Sequence, residues 1–272
     1  MIFRLIGRLY LCFGLVLGLS NCGSDTASHF KPLSEHVKAQ LRQSGLKLGA
    51  PVYIRAFKED SELEVWFADA DGTYSLFKTY PICNWSGTLG PKRAEGDRQT
   101  PEGFYIVTPA QMNPISRYDL AFNIGYPNAY DKAYGRTGSA IMMHGGCRSA
   151  GCYAMTDSAI EEIFALMHET FAAGHDFVPF HAFPFRMTDD NMLAHSDSRW
   201  FGFWRNLKQG YDYFQTYRSP PIVGVHNGRY VFFSAQDAIA ALSKEDTDDA
   251  STTTTLRLIR GWQRNADGNI QY

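Results

Sequence analysis

The stretch from Val52 to Tyr80 constrains the fold most. Val52 to Phe57, then Leu63, Val65 and Phe67, then Tyr74 to Tyr80 after an Asp71-Gly72 turn, repeat with a period of two. Alternation sends successive side chains to opposite faces, so the stretch predicts strands joined by short polar turns in an antiparallel sheet. Phe104 to Val107, entered through Thr100-Pro101-Glu102-Gly103, predicts another strand, and Phe177 to Phe185 one more with His181 in its middle. A lone histidine in such a strand is more often a packed core residue than a ligand.

Other segments follow the helical period. Ser34 to Ser44 predicts a short helix, with Val37 and Leu41 four apart and Gly45 as a stop. Ile160, Ile163, Phe164, Met167 and Phe171 run at helical spacing up to Gly174, behind Ser158-Ala159-Ile160-Glu161, which resembles a capping box. Residues 85–99 are dense in Gly, Lys and Asp and predict a surface loop. Residues 109–137 predict a long irregular loop walling a cleft. Its Tyr118, Tyr126, Tyr130 and Tyr134 either face a substrate or pin the loop to the sheet, the second use being commoner. Residues 188–272 form a C-terminal extension: Trp200 to Leu207 helical, Val223 to Phe232 a hairpin about Asn227-Gly228, Ser234 to Leu242 helical, and a polar stretch from Asp246 to Thr255. Its aromatics pack on the preceding residues or meet a partner, packing being the simpler reading.

The chemistry concentrates in Ile141-Met142-Met143-His144-Gly145-Gly146-Cys147-Arg148-Ser149-Ala150-Gly151-Cys152-Tyr153-Ala154-Met155. A thiol becomes a strong nucleophile when an imidazole or a helix N-terminus draws off its proton, and His144 and the helix after Cys152 offer both. That helix starts some five residues past the thiol, so its dipole helps only if the loop folds back. The residues therefore predict acyl transfer, with Cys152 as nucleophile, His144 as base and then acid, and the N–H groups of Gly151, Cys152 and Tyr153 facing the oxyanion. Gly145, Arg148, Ser149 and Arg186 are candidate substrate contacts, the arginines through a substrate carboxylate, although loop support is an equal role for Arg148 and Ser149. No cofactor is implied. A zinc site on His144, Cys147 and Cys152 is the rival reading, but it lacks a fourth ligand nearby. A wall-binding module without turnover is another rival. If Cys152 stays free, Cys83 and Cys147 are the remaining pair, and the sequence does not say whether they meet.

The motif resembles the signature of the YkuD-type L,D-transpeptidase family, most nearly its YafK-like branch. The resemblance extends to residues 80–92, to Gly96-Asp97-Arg98-Gln99-Thr100-Pro101-Glu102-Gly103-Phe104-Tyr105 and to Phe183-Pro184-Phe185-Arg186-Met187. It implies an α+β, mainly β fold: a β-sandwich catalytic domain over residues 49–187, a flanking helix, and a small α/β C-terminal extension. It implies peptidoglycan stem peptides as substrate and a backbone carbonyl as the orienter of His144. The branch implies hydrolysis between diaminopimelate and a wall-bound outer-membrane lipoprotein, whereas the broader family implies 3-3 cross-linking or lipoprotein attachment. The eight-residue His-to-Cys interval and Ala154, where the family usually carries Arg or Asn, bear on substrate preference.

Arg4 and Arg8 precede the apolar run Leu9 to Leu19, which predicts a signal peptide over 1–21 and export to the periplasm. Leu19-Ser20-Asn21-Cys22 resembles a lipobox; lipid attachment at Cys22, plain cleavage and an uncleaved anchor all stay open. Residues 22–48 read as a linker carrying the short helix. Membrane contact is expected only through the signal or the lipid. With a formal charge of −2 over 272 residues, no basic surplus points to nucleic acid.

Overall fold

The computed structural model describes residues 28–243, 263–264 and 270–271. The basic start, the apolar run, Cys22 and the polar stretch from Asp246 to Thr255 lie outside these residues. Among the described residues no helix is long and apolar enough to cross a membrane.

Helix α1 (Glu35–Gln43) starts where the Ser34 side chain accepts the Val37 N–H, and it buries Val37 and Leu41. The alternating stretch becomes β1 (Val52–Phe57), β2 (Glu62–Ala68) and β3 (Tyr74–Pro81), antiparallel in that order. Strand β4 (Gly103–Val107) follows. The predicted long loop is more ordered than its composition suggests: it holds β5 (Met112–Ser116), β6 (Asp119–Asn123) and the short helix α2 (Ala129–Ala133). Pairing between β5 and β6 shifts register between Asn113 and Ser116, which erases the alternation that would have marked them. Then come β7 (Met142–His144), β8 (Tyr153–Ala154), α3 (Asp157–Ala172) and β9 (Val178–Phe183). Helix α3 is capped by Thr156, whose side chain accepts the Ala159 N–H, rather than by Ser158.

Two sheets result, one ordered β3-β2-β1-β9-β4 and the other β5-β6-β7-β8. Their facing residues make one core: Val52, Ile54 and Phe180 from the first sheet meet Phe122, Met143 and Tyr153 from the second, with Ile160 and Ile163 of α3. This is the mainly β sandwich with a flanking helix that the motif implied.

The rest of the described chain is α4 (Asp189–Ala194), α5 (Phe201–Tyr217), the hairpin of β10 (Ile222–His226) and β11 (Arg229–Phe233), and α6 (Ala235–Ser243). Two-residue strands at Gln263–Arg264 and Ile270–Gln271 also pair. Helix α5 lays Trp204, Leu207, Tyr211 and Phe214 on the outer face of the larger sheet, against Phe57, Phe183 and Tyr53. Every residue of β1 and β9 is consequently buried, on one face by the second sheet and on the other by α5. The aromatics of the extension therefore pack on the strands before them. His181 lies in this layer, with its Nδ1 2.8 Å from the Tyr53 hydroxyl. Burial, helped by the nearby Arg55 charge, pushes its pKa down to about 3, so it is a neutral core side chain.

Candidate active site

Strands β7 and β8 run parallel, with Met143 opposite Tyr153 and His144 opposite Ala154. Met143 and Tyr153 point into the core. Alternation then puts His144 on the opposite face, and Cys152, one residue before Tyr153, on that same face. The two side chains are therefore diagonal neighbours on one face, Cys152 lying two residues before Ala154, the partner of His144. The Met142 N–H donates to Cys152 Sγ at 3.4 Å, as a register with Met142 beside Cys152 requires.

His144 is buried and its Nδ1 lies 2.6 Å from the Gly145 carbonyl oxygen. A carbonyl only accepts, so in the neutral ring Nδ1 carries the proton and Nε2 keeps a basic lone pair. The Tyr118 ring lies against the imidazole, centroids 4.8 Å apart at 32°. Gly145 fits where no other residue would: a Cβ there would stand 2.6 Å from Asp157 Oδ1 and 2.8 Å from the Tyr118 carbonyl oxygen. Asp157, first residue of α3, accepts the Gly146 N–H at 2.7 Å. The helix start is thus tied to the His-Gly-Gly turn.

Burial raises the Cys152 thiol above the ordinary thiol value, while the Met142 N–H and the Lys92 charge pull it back down. It is the free cysteine among the described residues. Cys83 and Cys147 form a disulfide with Cα atoms 5.1 Å apart, which fastens the turn after His144 to the segment beside β8. With its sulfur in that bond, Cys147 is no thiolate ligand for zinc.

The Cys152 carbonyl oxygen accepts the Ser149 hydroxyl at 2.7 Å and the Thr100 hydroxyl at 3.0 Å. Because Ser149 gives its proton there, Ser86 must be the donor in the 2.6 Å contact between the two serine oxygens. The Gly151 N–H in turn donates to Ser149 Oγ at 3.2 Å. Gly151 has φ +131°, a conformation open to glycine alone, and it turns the chain onto the cysteine. Of the three N–H groups expected to face an oxyanion, Gly151's is already committed. The Cys152 N–H has no acceptor among the described residues.

Residues 52–173 match the YkuD family model, the L,D-transpeptidase catalytic domain. A protein of Escherichia coli (strain K12) named "Putative L,D-transpeptidase YafK" is 47% identical over 214 residues, spanning 79% of this chain and 82% of that protein. Its counterpart in Escherichia coli O157:H7 matches over the same 214 residues at the same 47%. This chain belongs to the L,D-transpeptidase family. Family membership makes peptidoglycan the substrate class. Among solved structures, the helical cell shape determining protein Pgp2 of Campylobacter jejuni is similar at 25% identity and TM-score 0.40, over 61% of this chain and 60% of that one.

In this member of the family the remaining candidates separate. Arg148 is exposed, with no carboxylate partner among the described residues. Ser149 supports the loop. Arg186 is a correction: its guanidinium bonds Glu64 at 2.6 Å and Glu62 at 2.5 Å, and its pKa is raised by those acceptors, so it is not free for a substrate carboxylate. Gly145 serves close packing rather than substrate contact. Of the four loop tyrosines, Tyr126 is buried with its hydroxyl on the Thr137 carbonyl, and Tyr130 is stacked 4.3 Å from Tyr230, so both pin the loop. Tyr118 and Tyr134 are half exposed.

Tyr118, one of the four loop tyrosines, lies on the site against the His144 ring, whereas Ser86, Thr100 and Lys92 belong to it without standing out in the sequence as site residues. Ser86 and Thr100 reach the site through Ser149 and Cys152, more than fifty residues away in the chain, and such contacts leave no periodic trace. The Thr100-Pro101-Glu102-Gly103 turn was noted as a strand entrance, and that was the available signal for Thr100.

Proposed function

We propose that the chain is a periplasmic cysteine peptidase of peptidoglycan, which cleaves the bond between diaminopimelate and a covalently attached outer-membrane lipoprotein. The observation that carries the chemistry is the His144 ring, whose Nδ1–H is held by the Gly145 carbonyl and which shares one sheet face with Cys152. With its pKa raised by burial, Cys152 rests as a neutral thiol. His144 Nε2 takes the thiol proton as Sγ attacks the carbonyl carbon, and the oxyanion faces the Cys152 N–H. The C–N bond then breaks, His144 returns the proton to the leaving amine, and the acyl group remains on Cys152 as a thioester. Water, deprotonated by His144, attacks the thioester and releases the sulfur. Arg148 meets the free carboxylate of diaminopimelate. Attachment to the membrane is through Cys22 if that cysteine is acylated.

Hydrolysis is preferred because the motif stretches resemble the YafK-like branch. The second reading replaces water by an amine of another stem, giving a cross-link, and the relative's name, a transpeptidase, favours it. Sacculi bearing the lipoprotein, incubated with the purified protein, distinguish them. Released lipoprotein with the wild type and none with Cys152→Ala is the expected result. New cross-linked muropeptides without release would establish the second reading, and undiminished release by Cys152→Ala would overturn both.

A further inference from the structure

Behind the loop that carries Lys92 lies a groove of about 880 Å³ onto which arginines from three separate segments converge. Arg93 comes from the loop before β4, Arg199 from the turn into α5 and Arg229 from the start of β11. All three are exposed, and none has a carboxylate partner among the described residues. The carboxylate in the lining, Asp97, is already committed: Oδ1 takes Lys92 Nζ at 2.6 Å and the Gln99 N–H at 3.1 Å, while Oδ2 takes the Arg93 N–H at 2.8 Å and the Ala94 N–H at 3.0 Å. A fourth arginine, Arg136, is neutralised by Asp131 at 2.7 Å and lies over Tyr130, Tyr134 and Phe203. Trp200 and the half-exposed Tyr134 complete an aromatic wall.

Arg93, Arg199 and Arg229 line one concavity whose carboxylate is already committed, and the Arg199 guanidinium rests over the Trp200 ring, 4.7 Å from its centroid, so an anion seated there would meet an uncompensated positive charge. Each guanidinium offers a planar fork suited to two carboxylate oxygens. The volume falls within the usual range of ligand sites, about 300–1,000 Å³, and far exceeds what a single inorganic anion fills. The aromatic wall suits the carbon skeleton between the acidic groups. Asp97 of the lining ties the groove toward the nucleophile: it holds the Lys92 ammonium at 2.6 Å, and the backbone of its neighbour Arg98 lies 3.9 Å from where a Cβ on Gly151, one residue before Cys152, would stand.

We propose that this groove binds the acidic arm of the substrate, a peptide with at least two carboxylates, and so selects the stem whose bond meets Cys152. This rests on the reading of Cys152 as a nucleophile acting on wall stems. The C-terminal extension thereby becomes part of substrate recognition, because Arg199, Trp200 and Arg229 all lie in it.

The test uses the full chain carrying Cys152→Ala, so that bound peptide is not turned over. Calorimetric titration with the free stem tetrapeptide Ala-D-Glu-diaminopimelate-D-Ala is compared with its carboxyl-amidated form. Arg93→Gln, Arg199→Gln and Arg229→Gln are each expected to raise Kd about tenfold, the loss of one charge-assisted contact, and the triple variant to abolish measurable binding. Amidation should weaken binding to the parent in the same way. Equal affinity across the variants, or for the amidated peptide, overturns the groove. Variants that lose binding to vesicles of anionic lipid while keeping the peptide overturn it too. Digestion of sacculi separates the two readings. If the wild type acts and the arginine variants act with the same KM, the groove fails and the nucleophile stands. If Cys152→Ala still acts, the nucleophile fails and calorimetry alone judges the groove.

Discussion

Removing the ammonium of Lys58 should unfold a large part of what supports the nucleophile. Lys58 and Glu102 are both fully buried, 2.9 Å apart. Lys58 Nζ also donates to the carbonyl oxygens of Thr88 at 2.8 Å, Gly90 at 3.1 Å and Thr100 at 3.0 Å, gathering the loop behind Cys152 around one charge. Glu102 accepts the Gly90 N–H at 2.6 Å and Trp204 Nε1–H at 2.9 Å. Burial lowers the Lys58 pKa against the opposing pull of Glu102, so desolvation outweighs attraction within the pair. Such a pair stabilises little compared with apolar residues, yet losing one partner leaves the other charge buried. Lys58→Met is therefore expected to cost about 3–5 kcal/mol, a large share of the roughly 5–15 kcal/mol of a typical domain. Glu102→Leu costs a similar amount by stranding the ammonium. The double variant should fall short of the summed single costs by about 2–3 kcal/mol, because no lone charge is left, although three carbonyls and two N–H donors still lose partners. Urea denaturation of the four proteins at constant m-value measures this cycle. A cost below about 1 kcal/mol for Lys58→Met, or strict additivity, would refute the reasoning.

Three further outcomes follow from the site. Gly145→Ala forces a methyl group against Asp157 Oδ1 and the Tyr118 carbonyl oxygen, and should destabilise by about 1–3 kcal/mol and reduce sacculus digestion; a variant as stable and active as the wild type would count against the packing argument. Cys147→Ser opens a cross-link spanning 64 residues and should lower unfolding stability by about 4 kcal/mol on chain entropy, with the same loss when the wild type is reduced. Variants and reduced protein that melt with the oxidised wild type would contradict it. Because burial raises the Cys152 thiol, it is protonated at neutral pH, and alkylation by iodoacetamide should climb with pH through the ordinary thiol range, about 8.5, without levelling off. Lys92→Gln, which removes a charge that favours the thiolate, should slow alkylation at pH 7, whereas a plateau already reached near neutrality would indicate a thiolate–imidazolium pair instead.

What the sequence disclosed depended on whether a feature is local. The strands from Val52 to Tyr80, the helix after the motif and the Asn227-Gly228 hairpin each declare themselves within a dozen residues, and the structure has them where their periods lie. The facing of His144 and Cys152 was partly legible, since an apolar triplet before the histidine implies a strand, but the parallel register that gives both one face was not. The β5–β6 hairpin escaped because its register shift and its Asn113-Pro114 pair break the alternation. Arg186 misled because an arginine after a strand looks free until Glu62 and Glu64, more than a hundred residues earlier, are brought beside it. Arg55 makes the same point from inside a strand. By period alone it marks the solvent face of β1, yet it is buried, bonded to Glu64 at 2.6 Å and lying over Phe57, Trp66, Tyr211 and Phe214. That face is closed by α5, and closing it over a charge requires both a carboxylate and aromatic cover, which Glu64 and the rings of α5 supply. Helix α5 thus covers the buried charge on the larger sheet, and that sheet carries β4, which follows the Thr100 turn that holds the Cys152 carbonyl.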